Sequence, residues 1–470
     1  MFQFDPKKEF SYVGKFWYPE TPDKQFSGVL NYTQDKGLSL KILISIDFAL
    51  MEEQNIQGKT IHGFVEQIKE ITLLKCLFIN KGFKNLLQTK EYSIFFAVLG
   101  KHCDKNDKIF TGIVFHFPEI DSFCKTNADE YFVDDKKPII NCKLSNNQHI
   151  KIHQGSRDEI DLNLVLSKDM QIKLIPFLKR YNRIVSDKTL NKKSKMTKRD
   201  ETILKNVHKE KSRLKITKPF FCVDITGNKN TIEYYIGEKS EIMKMFSLFS
   251  LQAIYCDFIK IRAGNESYTI IEQVGERCST KKLMMSNMPI TIHDININFA
   301  TIFDRWNNLP SEVLNILFDD KLYNKANPGY QQYSIMIAIL GSWQVQNGKT
   351  KDNGTRYEKL LEENLLPSDL INDEITAKLK AILGIEKPLD KIARDLGEIR
   401  DCILHMDTIP KTHRKYIQHK TILENETHIN NLCEILFIFM VKIVYSYIGI
   451  VLSDNQKKIL ARQIISWSEY

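Results

Sequence analysis

Residues 388–405 have the sequence PLDKIARDLGEIRDCILH, which predicts one amphipathic helix. Pro388 suits the first turn of a helix because its ring fixes φ near the helical value. Six apolar side chains then recur at steps of three and four residues, the spacing of one buried helix face: Leu389, Ile392, Ala393, Leu396, Ile399 and Ile403. The stretch therefore predicts that the C-terminal part of the chain packs as helices around a core.

Polar residues at the end of this helix are the candidate site residues. At about 100° per residue, Arg400 falls within the apolar face. Asp401 and His405 lie four residues apart on the other side, where a carboxylate can reach an imidazole. A buried arginine is costly unless it is paired or faces a cleft or a partner. The alternative is a guanidinium that extends from the helix end into solvent.

Length and composition limit the possible architectures. The chain has 470 residues, which predicts two or three domains, and its apolar content of 43% is sufficient for real cores. Its nine cysteines are scattered without a C-x2-C pair, so we expect reduced thiols and neither a disulfide framework nor a zinc site. We find no signal-peptide pattern and no run of about 18 apolar residues. We therefore expect a cytoplasmic protein without a membrane partner.

The N-terminal part, to about residue 295, has the patterns of β-strands. Short apolar or alternating runs separated by polar linkers predict strands at residues 29–30, 38–43, 71–79, 92–99, 110–117, 220–223, 231–236 and 268–273. Asp35-Lys36-Gly37 predicts a hairpin turn before the second of these runs. Residues 243–262 fit a helix or a strand. We find no Gly-rich phosphate loop, no H-E-x-x-H motif and no kinase-like set.

After residue 296 the apolar spacing becomes helical. Helices are predicted at residues 299–306, 311–318, 333–345, 356–366, 388–405, 429–448 and 454–467. Residues 429–448 are apolar nearly all round, so we expect them in a bundle core or a dimer interface. We predict an α+β multidomain protein, with a β-rich domain over residues 1–295 and an all-α bundle over residues 296–470.

Residues 179–218, inserted in the β-rich part, carry the basic charge of the chain. This segment has 15 lysines and arginines and 4 acidic residues, a net charge of +11, against +9 for the whole chain. Such a run favours phosphate backbones through counterion release. The candidate RNA-binding residues are those of its densest part: Lys192, Lys193, Lys195, Lys198 and Arg199. A solvated linker that binds nothing in particular fits the same composition.

Several short segments of the N-terminal part resemble, in this order, the N-terminal domain of ApeA-like abortive-infection proteins. They are Gly14-Lys15-Phe16-Trp17-Tyr18-Pro19 with Gly28-Val29-Leu30, Ile61-His62-Gly63, Thr72-Leu73-Leu74-Lys75-Cys76, Leu99-Gly100-Lys101-His102 and Phe115-His116-Phe117. We interpret Phe16, Trp17 and the glycines as packing and turn residues rather than as catalytic groups.

Arg400-Asp401-Cys402-Ile403-Leu404-His405 resembles the R-x4-H signature of HEPN-domain ribonucleases, and ApeA-like proteins carry a HEPN domain at their C-terminus. The resemblance implies that the all-α bundle is of HEPN type. It also implies an endoribonuclease of anti-phage abortive infection that needs no metal or other cofactor and is regulated by its N-terminal domain. RNA supplies its own nucleophile, the 2′-OH. In this reading His405 is the acid or base, Arg400 stabilises the phosphate, and Asp401 orients the imidazole.

The resemblance also implies the partners. RNA, with tRNA as one candidate, is the expected substrate, and a phage-derived molecule is the expected activator. HEPN domains generally dimerise with their two motifs facing one cleft, so a homodimer is expected. The second copy would supply the second imidazole that a paired acid and base need.

One departure from the HEPN pattern keeps an alternative open. Relatives often have a glutamate near the end of the preceding helix, where this chain has Leu340-Gly341-Ser342-Trp343. Glu358, Glu362 or Glu363 would replace it, or no acid is needed. The alternative function is a non-catalytic, HEPN-like dimerisation and nucleic-acid-binding protein. A metal-dependent nuclease in the N-terminal half has weak support, because its aspartates show no recognisable ligand spacing.

Overall fold

The computed structural model of the protein describes residues 9–33, 36–45, 57–84, 87–124, 138–159, 216–273, 288–315, 317, 329–346, 356–364, 382, 389–405 and 411–465. The chain divides into two compact units, one formed by residues 1–132, 137–153 and 222–470 and the other by residues 133–136 and 154–221. Of the second unit, only residues 154–159 and 216–221 are among the described residues.

Six antiparallel strands near the N-terminus close into a barrel: β1 (Phe10–Trp17), β2 (Phe26–Thr33), β3 (Gly37–Ser45), β4 (Gln57–Val65), β5 (Lys69–Lys84) and β6 (Leu87–Leu99). Their order is β3-β2-β1-β4-β5-β6, and β3 also pairs with β6, which closes the ring. Thr33 pairs with Gly37 across the predicted hairpin, of which Asp35 lies outside the described residues. The strands predicted at residues 29–30, 38–43, 71–79 and 92–99 are confirmed.

The ring of Phe16 fills a slot made by glycines on three neighbouring strands of the barrel. Phe16 is fully buried. A Cβ atom on Gly63 would lie 2.5 Å from its Cδ1, and one on Gly28 would lie 3.0 Å from its Cδ2. A Cβ atom on Gly14 would lie 3.2 Å from its Cε2. Because interiors are close-packed, a side chain at Gly63 must displace the ring, and one at Gly14 or Gly28 would press on the ring and on other neighbours. Phe16 and these glycines are therefore packing residues, as the sequence indicated.

Strand β6 belongs both to the barrel and to a longer sheet. It pairs with β3 as far as Ile94, and its last residues, 96–99, pair with β12. The sheet continues in the order β12-β11-β7-β10-β9-β8. These strands are β7 (Phe110–His116), β8 (Ile140–Lys143), β9 (His149–Glu159), β10 (Ile216–Asn230), β11 (Phe258–Ala263) and β12 (Glu266–Glu272). They confirm the strands predicted at residues 110–117, 220–223 and 268–273.

Two helices accompany this sheet. Helix α1 (Pro118–Cys124) follows β7, and helix α2 (Ile232–Ser250) contacts β7. Phe123 of α1 packs edge to face on Phe246 of α2, with 4.9 Å between the ring centroids. This aromatic contact buries the inner faces of both helices.

The strand predicted at residues 231–236 is wrong. Thr231 caps α2, and its hydroxyl accepts a hydrogen bond from the backbone N–H of Tyr234 at 3.3 Å. The β-branched and aromatic residues of this stretch favour a strand. However, the cap and the buried face that continues through Tyr235 and Ile242 determine a helix. The undecided stretch 243–262 contains the end of α2 and the beginning of β11.

The described chain after residue 288 is helical. Its helices are α3 (Ile292–Ile295), α4 (Phe299–Trp306), α5 (Ser311–Asn315), α6 (Tyr330–Gln346), α7 (Arg356–Asn364), α8 (Leu389–Leu404), α9 (Arg414–Leu423), α10 (Glu426–Ile448) and α11 (Asp454–Ile465). Helix α6 contacts α7, α8 and α10, and α9 contacts α8 and α10. The sequence predicted each of the longer helices except α9. The proposed domain boundary between residues 295 and 296 stays a prediction.

Helix α10 is the core helix of this region. Its N-cap is Asn425, and Gly449 ends it in the left-handed conformation at a φ of +91°. Tyr445 of α10 donates a hydrogen bond to the carbonyl of Leu248 in α2 at 2.8 Å, which joins the helices to the sheet region. Among the described helices, α10 alone is long and apolar enough to cross a membrane, and 72% of its most apolar window is buried within the protein.

The glycine slot gives a test of the barrel core. Gly63→Ala should lower the stability of the protein by about 1 to 3 kcal/mol, because the added methyl group must displace the buried ring of Phe16. The matched control is Gly237→Ala in α2, where a Cβ atom would meet nothing within 4 Å. That change should raise stability by about 0.5 to 1 kcal/mol. Thermal melting followed by circular dichroism measures both, and a Gly63→Ala variant as stable as the parent would contradict the packing.

Candidate functional site

The predicted motif lies at the C-terminal end of α8. Ile392, Ala393, Leu396 and Ile399 are buried, as the apolar spacing indicated. The backbone N–H of His405 donates to the carbonyl of Asp401 at 3.1 Å, which completes the last turn. The His405 side chain is exposed. The end of α8 therefore presents the imidazole to solvent.

Arg400 is held by two partners. Its Nη2 and Nε donate to Oδ1 of Asp401 at 2.5 and 3.2 Å, and its Nη1 donates to the hydroxyl of Tyr357 at 3.0 Å. The Arg400 side chain is 21% exposed, so it lies at the edge of the apolar face and still reaches solvent. Burial alone would lower the pKa of Arg400, but Asp401 and Tyr357 outweigh it and raise the pKa. The guanidinium therefore stays charged.

A tyrosine from the neighbouring helix positions this guanidinium. Tyr357 of α7 is 3% exposed, and its ring lies between two glycines. A Cβ atom on Gly341 of α6 would lie 3.1 Å from its Cε1, and one on Gly397 of α8 would lie 3.2 Å from its Cε2. Gly341 thus makes room for the tyrosine that contacts Arg400.

The carboxylate nearest to Arg400 comes from the motif itself. Asp401 uses Oδ1 for Arg400, and its Oδ2 lies 3.6 Å from Nζ of Lys415 in α9. Of the acids suggested by the sequence, Glu362 pairs with Lys359 at 2.8 Å, and the side chain of Glu363 lies outside the described residues. The site is therefore cationic, with one carboxylate bracing an arginine and a lysine.

A second, buried cluster lies next to the motif and joins the same two helices. Nε2 of His419 in α9 lies 3.1 Å from Oε2 of Glu398 and 3.8 Å from Oδ1 of Asp395, both in α8. Gln418 donates to the same oxygen of Asp395 at 3.4 Å. The three donor atoms of the acids and the imidazole lie within 4.8 Å of one another, which is close enough to hold a metal ion.

The segments that resemble the ApeA family meet at one end of the barrel. Nε2 of His102 lies 3.0 Å from the carbonyl of Gly63, and Nε2 of His62 lies 3.2 Å from the carbonyl of Cys103. The two imidazoles stack with 4.9 Å between centroids, and Trp17 packs edge-on against His102. Three of the separate segments, those of Trp17, His62 and His102, are thus packed against one another.

The third polar cluster lies in the sheet region. Nδ1 of His116 in β7 lies 2.5 Å from Oδ1 of Asp257, and its Nε2 lies 3.4 Å from Oδ2 of Asp121. Burial alone would lower the pKa of His116, but the hydrogen bonds and charges of the two aspartates raise it to about 9. Burial raises the pKa of the adjacent Glu119 to about 7. The protonated imidazole of β7 therefore connects Asp121 of α1 with Asp257, the residue before β11.

Several candidate residues cannot be placed. Lys192, Lys193, Lys195, Lys198 and Arg199 lie outside the described residues, so their part in RNA binding stays a prediction. Asp134, Asp135 and Asp161, the aspartates considered with Asp121 for a metal-dependent nuclease, also lie outside them.

Sequence reasoning missed the residues that support the motif. Tyr357 and Lys415 were not predicted because their contacts depend on helix packing. Asp395 could have been suspected, since it interrupts the buried face of α8 between Ile392 and Ile399. Lys415 and His419 are four residues apart on α9, a spacing that places both on one helix face.

The fold and the sites define an α+β protein in which a β-barrel and its sheet precede a helical region with a cationic site. The sequence matches the family described as ApeA N-terminal domain 1 over residues 11–306, and the chain belongs to this family. This membership supports an ApeA-like protein of anti-phage defence. No curated protein and no solved structure is significantly similar to the chain. The matched residues contain the barrel and the sheet, and they end before the Arg400 site.

The raised pKa of His116 predicts a specific pH dependence. The folded protein holds this proton more tightly than the unfolded chain, so the stabilisation is complete below about pH 6.5 and is lost as the pH rises through about 9. His116→Gln should therefore lower the melting temperature most in mildly acidic buffer, and the difference from the parent should shrink toward alkaline pH.

The control for this experiment is His293→Gln, which alters an exposed histidine of α3. Its melting temperature should follow that of the parent at every pH. A constant gap between the parent and His116→Gln across the series would show that His116 carries no extra proton in the folded state.

Proposed function

We propose that this protein is a metal-independent endoribonuclease of anti-phage abortive infection, whose C-terminal helices form a HEPN-type domain. One observation carries the proposal. A partly exposed arginine, braced by Asp401 and Tyr357, lies little more than one helical turn from the exposed His405 at the end of α8. The family membership of residues 11–306 supports the defence role.

The proposed reaction uses the nucleophile that RNA contains. His405 accepts the proton of a 2′-OH while its oxygen attacks the adjacent phosphorus. The bond from phosphorus to the 5′-oxygen breaks, and that oxygen receives a proton from an acid. The products are a 2′,3′-cyclic phosphate and a 5′-OH end. Arg400 stabilises the charge that develops on the phosphate oxygens, because a guanidinium can donate two parallel hydrogen bonds to them.

The contacts of Asp401 revise its role in this mechanism. Its two oxygens contact Arg400 and Lys415, so we assign it to holding these cations rather than to orienting His405. Arg400, Lys415 and His405 would together attract the phosphate backbone. A site with this sign of charge suits an anionic substrate better than a catalytic metal ion.

A second copy of the chain would complete the site. One imidazole cannot at the same time accept the first proton and donate the second, so we propose a homodimer in which two His405 side chains face one cleft. Leu404 and Ile417, which are 57% and 60% exposed, belong to the helix ends that carry the motif and Lys415. Exposed apolar side chains of this size suit a self-association surface. The N-terminal region would hold the nuclease inactive until a phage-derived activator binds.

RNA cleavage tests the two motif residues. His405→Ala should lower the cleavage rate by at least about 100-fold, because general acid-base catalysis supplies about 10² to 10⁴. Arg400→Ala should lower it by about 10² to 10³, as for the loss of one charge-stabilising donor. Cleavage of a labelled RNA is measured in buffer without added divalent metal ions, and the ends are analysed for 2′,3′-cyclic phosphate.

Two exposed residues provide matched controls for this assay. Arg394→Ala removes an exposed arginine from the same helix, and His293→Ala removes the exposed histidine of α3. Both should cleave like the parent. If His405→Ala cleaves as fast as these controls, the nuclease assignment is wrong. RNA binding without cleavage by the parent would favour the non-catalytic dimerisation and binding protein.

Growth of a bacterial host gives an independent test. Expression of the parent together with an infecting phage should arrest growth. Arg400→Ala should not, because Arg400 no longer stabilises the charge that develops on the scissile phosphate. The measured quantity is culture density after induction, with Arg394→Ala as the control. Equal growth arrest by the parent and by Arg400→Ala would show that the toxicity does not depend on the motif.

A further inference from the structure

The cluster of Asp395, Glu398 and His419 has the donor set of a first-row metal site. It offers one imidazole nitrogen and two carboxylate oxygens, which are the protein ligands that Zn²⁺ takes in its mixed nitrogen and oxygen sites. His419 is 2% exposed and Asp395 is 3% exposed, whereas the Glu398 side chain is 19% exposed, so water could supply a fourth ligand from that side. None of these residues takes part in the proposed RNA chemistry.

The distances between the donor atoms fit one small ion. Bonds of about 2.0 to 2.2 Å in a tetrahedron place neighbouring donors about 3.3 Å apart. The Nε2 atom of His419 lies 3.1 Å from the Glu398 oxygen and 3.8 Å from the Asp395 oxygen, which brackets this value. The two carboxylate oxygens lie within 4.8 Å of each other, so the ion would draw the two acids together to complete the geometry.

The charge of the cluster also favours a dication. Two carboxylates held close together in a mostly buried place concentrate negative charge, which is costly. A divalent ion between them would offset the charge of both. Among the described residues, Gln418 donates to Asp395, and the charge of Asp395 acts on the buried hydroxyl of Tyr333. Asp401 and Lys415 pair further along α8 and α9.

We propose that Asp395, Glu398 and His419 bind a structural divalent metal ion, with Zn²⁺ as the best fit to their donors. The ion would fasten α9 to α8. Lys415 lies four residues before His419, on the same face of α9, and contacts Asp401. The metal would thereby hold the lysine against the carboxylate that braces Arg400, without touching the RNA.

Metal binding to the full-length protein tests this proposal. The chelator-stripped parent, titrated with ZnCl₂ in a calorimeter, should bind about one zinc ion per chain. Glu398→Gln preserves the size of the side chain and its contact with His419, and should weaken zinc binding by at least about 100-fold. His419→Gln should do the same. Glu362→Gln, which alters an exposed glutamate paired with Lys359, should bind zinc like the parent.

A second measurement separates binding from folding. Zinc should raise the melting temperature of the stripped parent and of Glu362→Gln, because a ligand that binds only the folded state stabilises it. It should leave the melting temperature of Glu398→Gln unchanged. Co²⁺ should give the visible absorption of a tetrahedral site in the parent and in Glu362→Gln, but not in Glu398→Gln. Zinc binding that is equal in the parent and Glu398→Gln, or absent from a well-folded parent, would overturn the proposal. Both readouts are independent of RNA cleavage.

Discussion

The position of the Arg400 guanidinium depends on three helices, and the C-terminal site depends on that position. Helix α8 contributes the Asp401 carboxylate, and α7 contributes the hydroxyl of Tyr357. Helix α6 contributes Gly341, where a Cβ atom would lie 3.1 Å from the tyrosine ring and would press against it. A charged group that is mostly buried is stable only when such partners surround it. The motif is thus a product of helix packing as much as of its own six residues.

Helix α9 gives the site its second support. Its contacts with α8 follow one another along a single face, from Lys415 at Asp401 to His419 at Glu398. The contact between Lys415 and Asp401 is partly exposed and places charged groups near the surface. The contact of His419 is mostly buried and fixes the spacing of the two helices. The same pair of helices therefore combines an accessible cationic end with a mostly buried acidic cluster.

Local patterns were sufficient for much of the fold. Short apolar or alternating runs predicted four of the six barrel strands and missed β1 and β4. The three- and four-residue spacing of Ile392 to Ile399 predicted α8 and placed the motif at its end. The start of α2 was mistaken for a strand, since the composition of residues 231–236 favours one while a threonine cap decides otherwise. Helix α9 has few apolar residues, and Tyr357 acts through contacts distant in sequence. Neither could be read from spacing alone.

The sharing of β6 has a consequence for dividing the protein. A fragment that ended soon after the barrel would contain all six strands of the ring but would lack β12, and the backbone groups of residues 96–99 would lose their partners on one side. Such an open edge invites pairing with other chains and aggregation. An N-terminal fragment intended for separate study should therefore extend at least to Glu272. Strand β12 then stays paired with residues 96–99 of β6.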